Sequence, residues 1–168
     1  MKKTLAMLLV VAMMLVGLTA CSGAGSSLTF TTGSETGTYY GFGTVLAGQI
    51  SEDTETTVKA IVGKGSKANI ELMDLGDAQM GLVQSDVMAY AYSGTNLFEN
   101  AIGSFSTVAA LYMEQVQIVT LDPSIKTVAD LAGKNVSVGE SGSGVYFNAI
   151  DVLAAYDLTL DEDRKSVV

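Results

Sequence analysis

Histidine and tryptophan are absent from this 168-residue chain, cysteine and proline occur once each, and the 9 basic residues are outnumbered by 18 acidic ones. Each shortage excludes a class of function. Without histidine or a second cysteine, the commonest zinc sites and every Ser-His-Asp or Cys-His arrangement are ruled out. A lone cysteine forms no intramolecular disulfide. A formal net charge of -9 leaves no basic stripe for a phosphate backbone, so nucleic acid is not an expected partner. No Pro-rich linker, low-complexity run or heptad pattern breaks the chain, and neither a metal nor a cofactor is expected.

The N-terminus is the plainest part of what is present. Lys2 and Lys3 precede an apolar run from Leu5 to Leu18 that ends in Leu18-Thr19-Ala20-Cys21. A basic start, a short apolar core and small residues before a cleavage point describe a secretory signal, too short for a comfortable membrane span. The tetrad Leu18 to Cys21 resembles the bacterial lipobox, so residues 1–20 are expected to be removed and Cys21 to carry the lipid. Thioether lipid plus N-acylation supplies the several chains that stable anchoring takes. Loss of the two lysines takes the formal charge from -9 to -11. About 148 residues remain, enough for the core of one domain. Residues 21–27 read as a flexible tether between lipid and domain.

Three times a short apolar run ends in a Gly/Ser loop that opens a helix-like segment. Leu28–Thr32 leads into Gly33-Ser34-Glu35-Thr36-Gly37-Thr38-Tyr39-Tyr40, Val58–Val62 into Gly63-Lys64-Gly65-Ser66-Lys67-Ala68-Asn69, and Asn135–Val138 into Gly139-Glu140-Ser141-Gly142-Ser143-Gly144. Strand, Gly/Ser loop and helix N-terminus present free N–H groups and hydroxyls at the carboxyl edge of an α/β sheet, where anions and polar ligands bind.

Periodicity predicts a helix over Tyr39–Ile50 with Phe42, Val45, Leu46 and Ile50 inward. A strand follows at Thr56–Val62, then a helix at Ser66–Leu75 with Ile70, Met73 and Leu75 inward, stopped by Gly76. Gln79–Val83 is a short buried strand, and Ser85 is the expected N-cap of a helix to about Tyr92. Strand alternating with helix implies a parallel sheet. Thr107–Tyr112 and Gln115–Leu121 read as long strands crossing between two lobes. Val128–Leu131 is a short helix, and the strand Asn135–Val138 and helix Tyr146–Tyr156 open a further α/β unit. That unit is one strand and one helix when the sequence stops, so the chain is expected to be a fragment. Residues 163–168 resemble a translated sequencing adapter and are expected to be an artefactual tail.

The order and spacing of these loops resemble the TAXI class of solute-binding subunits of tripartite ATP-independent periplasmic (TRAP) transporters. The segment Asp77-Ala78, Val83-Gln84-Ser85-Asp86, Tyr90-Ala91-Tyr92 and Gly94 is the most specific part, continued by Leu111-Tyr112 with Glu114 and by Ile125 to Lys134. A Glu usually precedes Asn69 in that class, where this chain has Ala68, and Lys64 stands at a position often glycine. The resemblance implies an α/β, type II periplasmic-binding-protein-like fold, two lobes with parallel-rich sheets joined by crossing strands, the second lobe incomplete. On that reading residues 28–112 are lobe 1 and residues 113–162 the crossover and start of lobe 2. The resemblance further implies an extracytoplasmic, lipid-anchored protein that captures a small organic acid or amino acid, glutamate-like or another carboxylate, and hands it to TRAP membrane permease subunits. A ligand-sensing lipoprotein receptor and a secreted α/β enzyme using Asp86 or Glu114 are the rival readings. The absence of histidine weighs against the enzyme.

The expected ligand-binding residues are Gly33, Ser34, Thr38 and Tyr39 in the first loop, Ser66 and Asn69 in the second, Gln84, Ser85 and Asp86 at the third strand end, and Ser141, Ser143 and Gly144 in the last loop. The hydroxyls and Gln84 suit a carboxylate or amino-acid ligand, and Asp86 favours an ammonium. Competing readings stay open for several: Thr38 starting a helix, Ser66 serving as a cap, Asp86 stabilising a first helical turn. Lys64 and Lys67 are candidate partners for a carboxylate. No Gly-Lys-Ser/Thr triplet closes any loop, which argues against nucleotide binding.

Overall fold

The computed structural model describes residues 26–160. The expected signal, Cys21, most of the tether and the expected tail lie outside the described residues. Strand β1 (Ser27–Thr31) is followed by helix α1 (Thr38–Asp53), β2 (Thr57–Ile61), α2 (Ser66–Asp74), β3 (Met80–Gly81) and α3 (Ser85–Ser93). A 3-10 turn (Val128–Leu131) and helix α4 (Gly144–Ala154) complete the regular elements. The three strands form one parallel sheet in the order β2-β1-β3. Register runs from Ser27 opposite Thr57 to Thr31 opposite Ile61, with Phe30 opposite Met80 on the other side. This is the mixed α/β architecture with a parallel sheet that the alternation of strands and helices predicts, and it is consistent with the periplasmic-binding-protein-like fold that the resemblance implies.

Alternation along β1 sorts the molecule into layers, because successive strand residues face opposite sides. Phe30 points to one side and packs with Ala47, Val58 and Leu82, joined by Tyr39, Leu46 and Ile50 of α1. Thr31 points to the other, where its hydroxyl donates to Asn69 Oδ1 of α2 at 2.8 Å. Beyond α2 and α3 lies the second core, Ile70, Val87, Ala91, Phe98 and Phe147, the last supplied by α4.

Several expectations need correction. The inward stripe of α1 is built on Gly43 and Ala47, while Phe42 and Val45 are 38% and 73% exposed. A Cβ at Gly43 would meet Thr32 Cγ2 at 2.5 Å, so the helix approaches the sheet most closely through its smallest residues; Leu46 and Ile50 pack inward beside them as expected, and Phe42 and Val45 turn outward. Leu75 is 74% exposed because α2 has already ended at Asp74, whereas Ile70 is fully buried and Met73 packs on the second core. Residues 107–121 form no strand, although their composition is strand-like. A strand exists only in a ladder, and no described residue pairs with this segment; Val108, Met113, Val119 and Leu121 stand almost wholly exposed. Asn135–Val138 is reduced to a single bridge residue, Ser137. Helix α4, expected in the start of the second lobe, packs against α2 and α3 through Phe147. Phe147 is 1% exposed between Tyr90 and Phe98, because a lone helix buries its apolar face only on whatever surface is at hand.

Candidate functional site at the carboxyl edge of the sheet

Asn69 ties the strand ends together. It is fully buried, and its Nδ2 donates to the backbone oxygens of Thr32 at 2.7 Å and Leu82 at 2.8 Å while its Oδ1 accepts from Thr31. Both amide donors and one acceptor position are thus engaged inside the protein, and Asn69 holds the β1 and β3 ends in place. The first two loops are joined directly by Gly63 N–H donating to Gly33 O at 3.0 Å.

Ser66 is the first residue of α2, so it is not the cap expected of it; the N-cap is Gly65, without a side-chain bond. The fully buried Ser66 hydroxyl instead accepts from the backbone N–H of Gln84 at 3.1 Å, which joins the second loop to the third strand end. Tyr39 reaches the same place from α1. Its phenol bonds to Ser66 and donates to Glu114 Oε2 at 3.2 Å. Burial above all, with the Glu114 carboxylate adding to it, raises the Tyr39 hydroxyl well above the ordinary phenol range, so it remains a neutral donor. Burial also raises Tyr112, which borders Glu114 and packs edge-on against Phe42 at 5.5 Å.

The last loop closes on this edge. Gly142 O accepts from Lys67 N–H, a donor of the first turn of α2, at 3.0 Å. Ser143 is the N-cap of α4, its Oγ accepting from Tyr146 N–H at 3.2 Å. Gly144 lies flat against Gln84: a Cβ there would fall 1.3 Å from Gln84 Oε1, so no other residue fits without moving that side chain. Gln84 Nε2 donates to Asn148 Oδ1 at 3.1 Å, and Asn148 Nδ2 donates to Asp86 Oδ2 at 2.6 Å. Asp86 Oδ1 accepts from Val87 N–H at 2.8 Å, consistent with an acid in a first helical turn. One helical turn along α4, Asp151 Oδ2 accepts from the Tyr90 hydroxyl at 2.6 Å, and that bond is the main reason the phenol is raised.

The structure therefore brings Tyr39, Ser66, Gln84, Asp86, Ser143 and Gly144 to one edge, with Gly33 and Asn69 buried beneath it. Ser34, Thr38, Ser85 and Ser141 are exposed. Thr38 begins α1 behind the N-cap Gly37, and Ser85 begins α3 behind Gln84, where it caps nothing. Lys64 is exposed, and the Lys67 ammonium pairs with Glu71 and lies 5.4 Å above the Phe98 ring. Among the described residues, no three His, Cys, Asp or Glu side chains are placed to hold a metal ion.

Sequence reasoning missed Asn148 and Asp151. The available signal was their spacing of three on an otherwise apolar helix, which puts both on one face. Away from this edge, an open pocket of about 250 Å³ at the C-terminal end of α4 is lined by Leu131, Val138, Leu153, Asp157, Thr159 and Leu160. It holds none of the hydroxyls and amides gathered at the sheet edge. The family model described as NMT1-like, a periplasmic-binding-protein-like family, matches residues 30–168.

Proposed function

Because this chain belongs to the NMT1-like family, we propose that it is the capture subunit of a transport system, taking up a small organic acid or amino acid at the edge formed by Tyr39, Ser66, Gln84, Ser143 and Gly144. The family carries a periplasmic solute-binding role, with an extracytoplasmic location and a small-molecule ligand, and binding rather than turnover. The finer reading is a lipoprotein anchored through Cys21 that delivers its solute to a TRAP-type permease. The lipobox-like tetrad and the loop order support it.

One observation carries the site: four loops from four separate chain segments meet through the Gly33 carbonyl, the Ser66 hydroxyl, the Gln84 backbone and the Gly142 carbonyl. The first-turn N–H of Lys67 is satisfied there by a carbonyl oxygen of the last loop, the kind of partner a solute oxygen would replace. Capture then consists of the last loop and α4 exchanging contacts with α2 for contacts with solute, a population shift between two arrangements.

The test is a thermal-shift screen of small organic acids and amino acids on the full chain. A ligand at a hundredfold excess over its Kd stabilises by about 2.7 kcal/mol, roughly 5–10 °C for a domain of this size. At least one acid is expected to raise the midpoint in proportion to the logarithm of its concentration. Tyr39→Phe is expected to reduce that rise while leaving the ligand-free midpoint within about 4 °C, since a phenol hydrogen bond contributes about 1 kcal/mol. A flat response across the whole panel would contradict the reading.

A further inference from the structure

The hydrogen bonds that run from Asp86 to Gln84 have only one possible polarity. A carboxylate accepts and cannot donate, so the atom Asn148 turns toward Asp86 Oδ2 at 2.6 Å must be its Nδ2. That leaves Asn148 Oδ1 facing Gln84, and the Gln84 atom opposite it at 3.1 Å must be Nε2. Reversing either amide would set two acceptors or two donors against each other. Gln84 Oε1 is thereby turned to the far side, under Gly144, where it is buried and has no hydrogen-bond partner among the described residues. A buried amide oxygen without a donor is uncommon, because lost hydration is not recovered. The neighbouring groups offer no relief. The Tyr39 hydroxyl donates to Glu114, and the Lys67 ammonium is paired with Glu71.

We propose that Asp86 and Asn148 are positioning residues that fix the Gln84 carboxamide with its oxygen as an open acceptor, so that the site selects acids that also carry a hydrogen-bond donor, a protonated amine or a hydroxyl, over the same acids without one. The inference rests on the solute-binding reading above. It assigns Asn148 a role in choosing the solute rather than in the fold alone. The donor of the solute satisfies Gln84 Oε1 as α4 moves off it, and an acid that lacks a donor leaves that oxygen unpaired. Discrimination of this kind is strong, because the wrong solute loses a bond and strands a polar group.

The experiment measures Kd by calorimetry for two matched pairs on the full chain: succinate against L-malate, and glutarate against L-glutamate. For at least one pair, the donor-bearing acid is expected to bind about tenfold tighter or more. In Asn148→Ala the ratio within that pair is expected to fall toward one, and Gln84→Leu is expected to do the same. A merely structural role would weaken both members of a pair alike and leave the ratio intact. Should Asn148→Ala fold poorly, Gln84→Leu, which replaces the amide by an apolar group of similar size, answers the same question. Equal affinities within both pairs in the unaltered protein, or an unchanged ratio in the variants, would overturn the inference and leave the solute-binding reading standing. Failure of all four acids to bind would overturn the inference, while the solute-binding reading is decided by the wider thermal-shift panel.

Discussion

Asn69→Leu is expected to lower the stability of the fold by about 4 kcal/mol, a loss comparable to much of what a domain of this size possesses. The side chain it removes is fully buried and donates to the oxygens of Thr32 and Leu82 while accepting from the Thr31 hydroxyl. Leucine keeps the approximate shape but strands two carbonyls and a hydroxyl away from water, each at about 1–3 kcal/mol. The urea midpoint should fall with its slope nearly unchanged. Asn69→Asp should be no better, since it retains the acceptor and loses both donors. A loss below about 1 kcal/mol in Asn69→Leu would mean that the strand ends are held by something other than this amide.

Phe147→Ala is the second large effect. Phe147 lies 6.0 Å from Tyr90 and from Phe98, with all but 1% of its surface buried. Truncating a buried phenylalanine costs about 3–5 kcal/mol. Here the cost falls on the docking of α4 rather than on the sheet. The sheet and α1 have a separate core around Phe30, Ala47, Val58 and Leu82, to which α4 contributes nothing. Amide hydrogen exchange should accelerate across Gly144–Ala154 while the β1 and β2 amides keep their protection. Unchanged protection of α4 would show that its polar bonds to Gln84, Asp86 and Tyr90 hold it without the aromatic contact.

Much of the fold was legible because it is local. Leu28–Thr32 and Thr56–Val62 are β-branched and aromatic runs bounded by glycine, and Ser66–Leu75 carries its apolar residues at helical spacing; all three become elements within a residue or two of the expected ends. The inward face of α1 was half legible: Leu46 and Ile50 pack inward, whereas Phe42 and Val45 give way to Gly43 and Ala47, which an apolar count overlooks although Gly43 allows the closest approach to Thr32. Residues 107–121 show the opposite error. Their pattern is that of strands, but strand structure is a property of pairs, and the sequence of one partner does not reveal whether the other is present.

The site divides in the same way. Gly/Ser loops at strand ends do gather at one edge of the sheet, where Ser66, Gln84, Ser143 and Gly144 meet. What each does could not be read locally. Ser66 and Ser85 have the chemistry of caps, yet both fall one position inside their helices, and the Ser66 hydroxyl serves Gln84 eighteen residues away. Asn148 acts on Gln84 and Asp86 across 64 and 62 residues, a pairing without a periodic trace. Even Asn69, which sits where a ligand residue would, has its amide engaged by three strand-end groups.

The most direct test of solute capture at the sheet edge is amide chemical-shift mapping on the isotopically labelled full chain. The titrant is the acid that most raises the thermal midpoint. The account predicts saturable shifts that centre on the amides of Ser66, Gln84 and Ser143 and share one Kd. Shifts that leave those three amides in place and gather around Leu131, Val138 and Leu153 would contradict it.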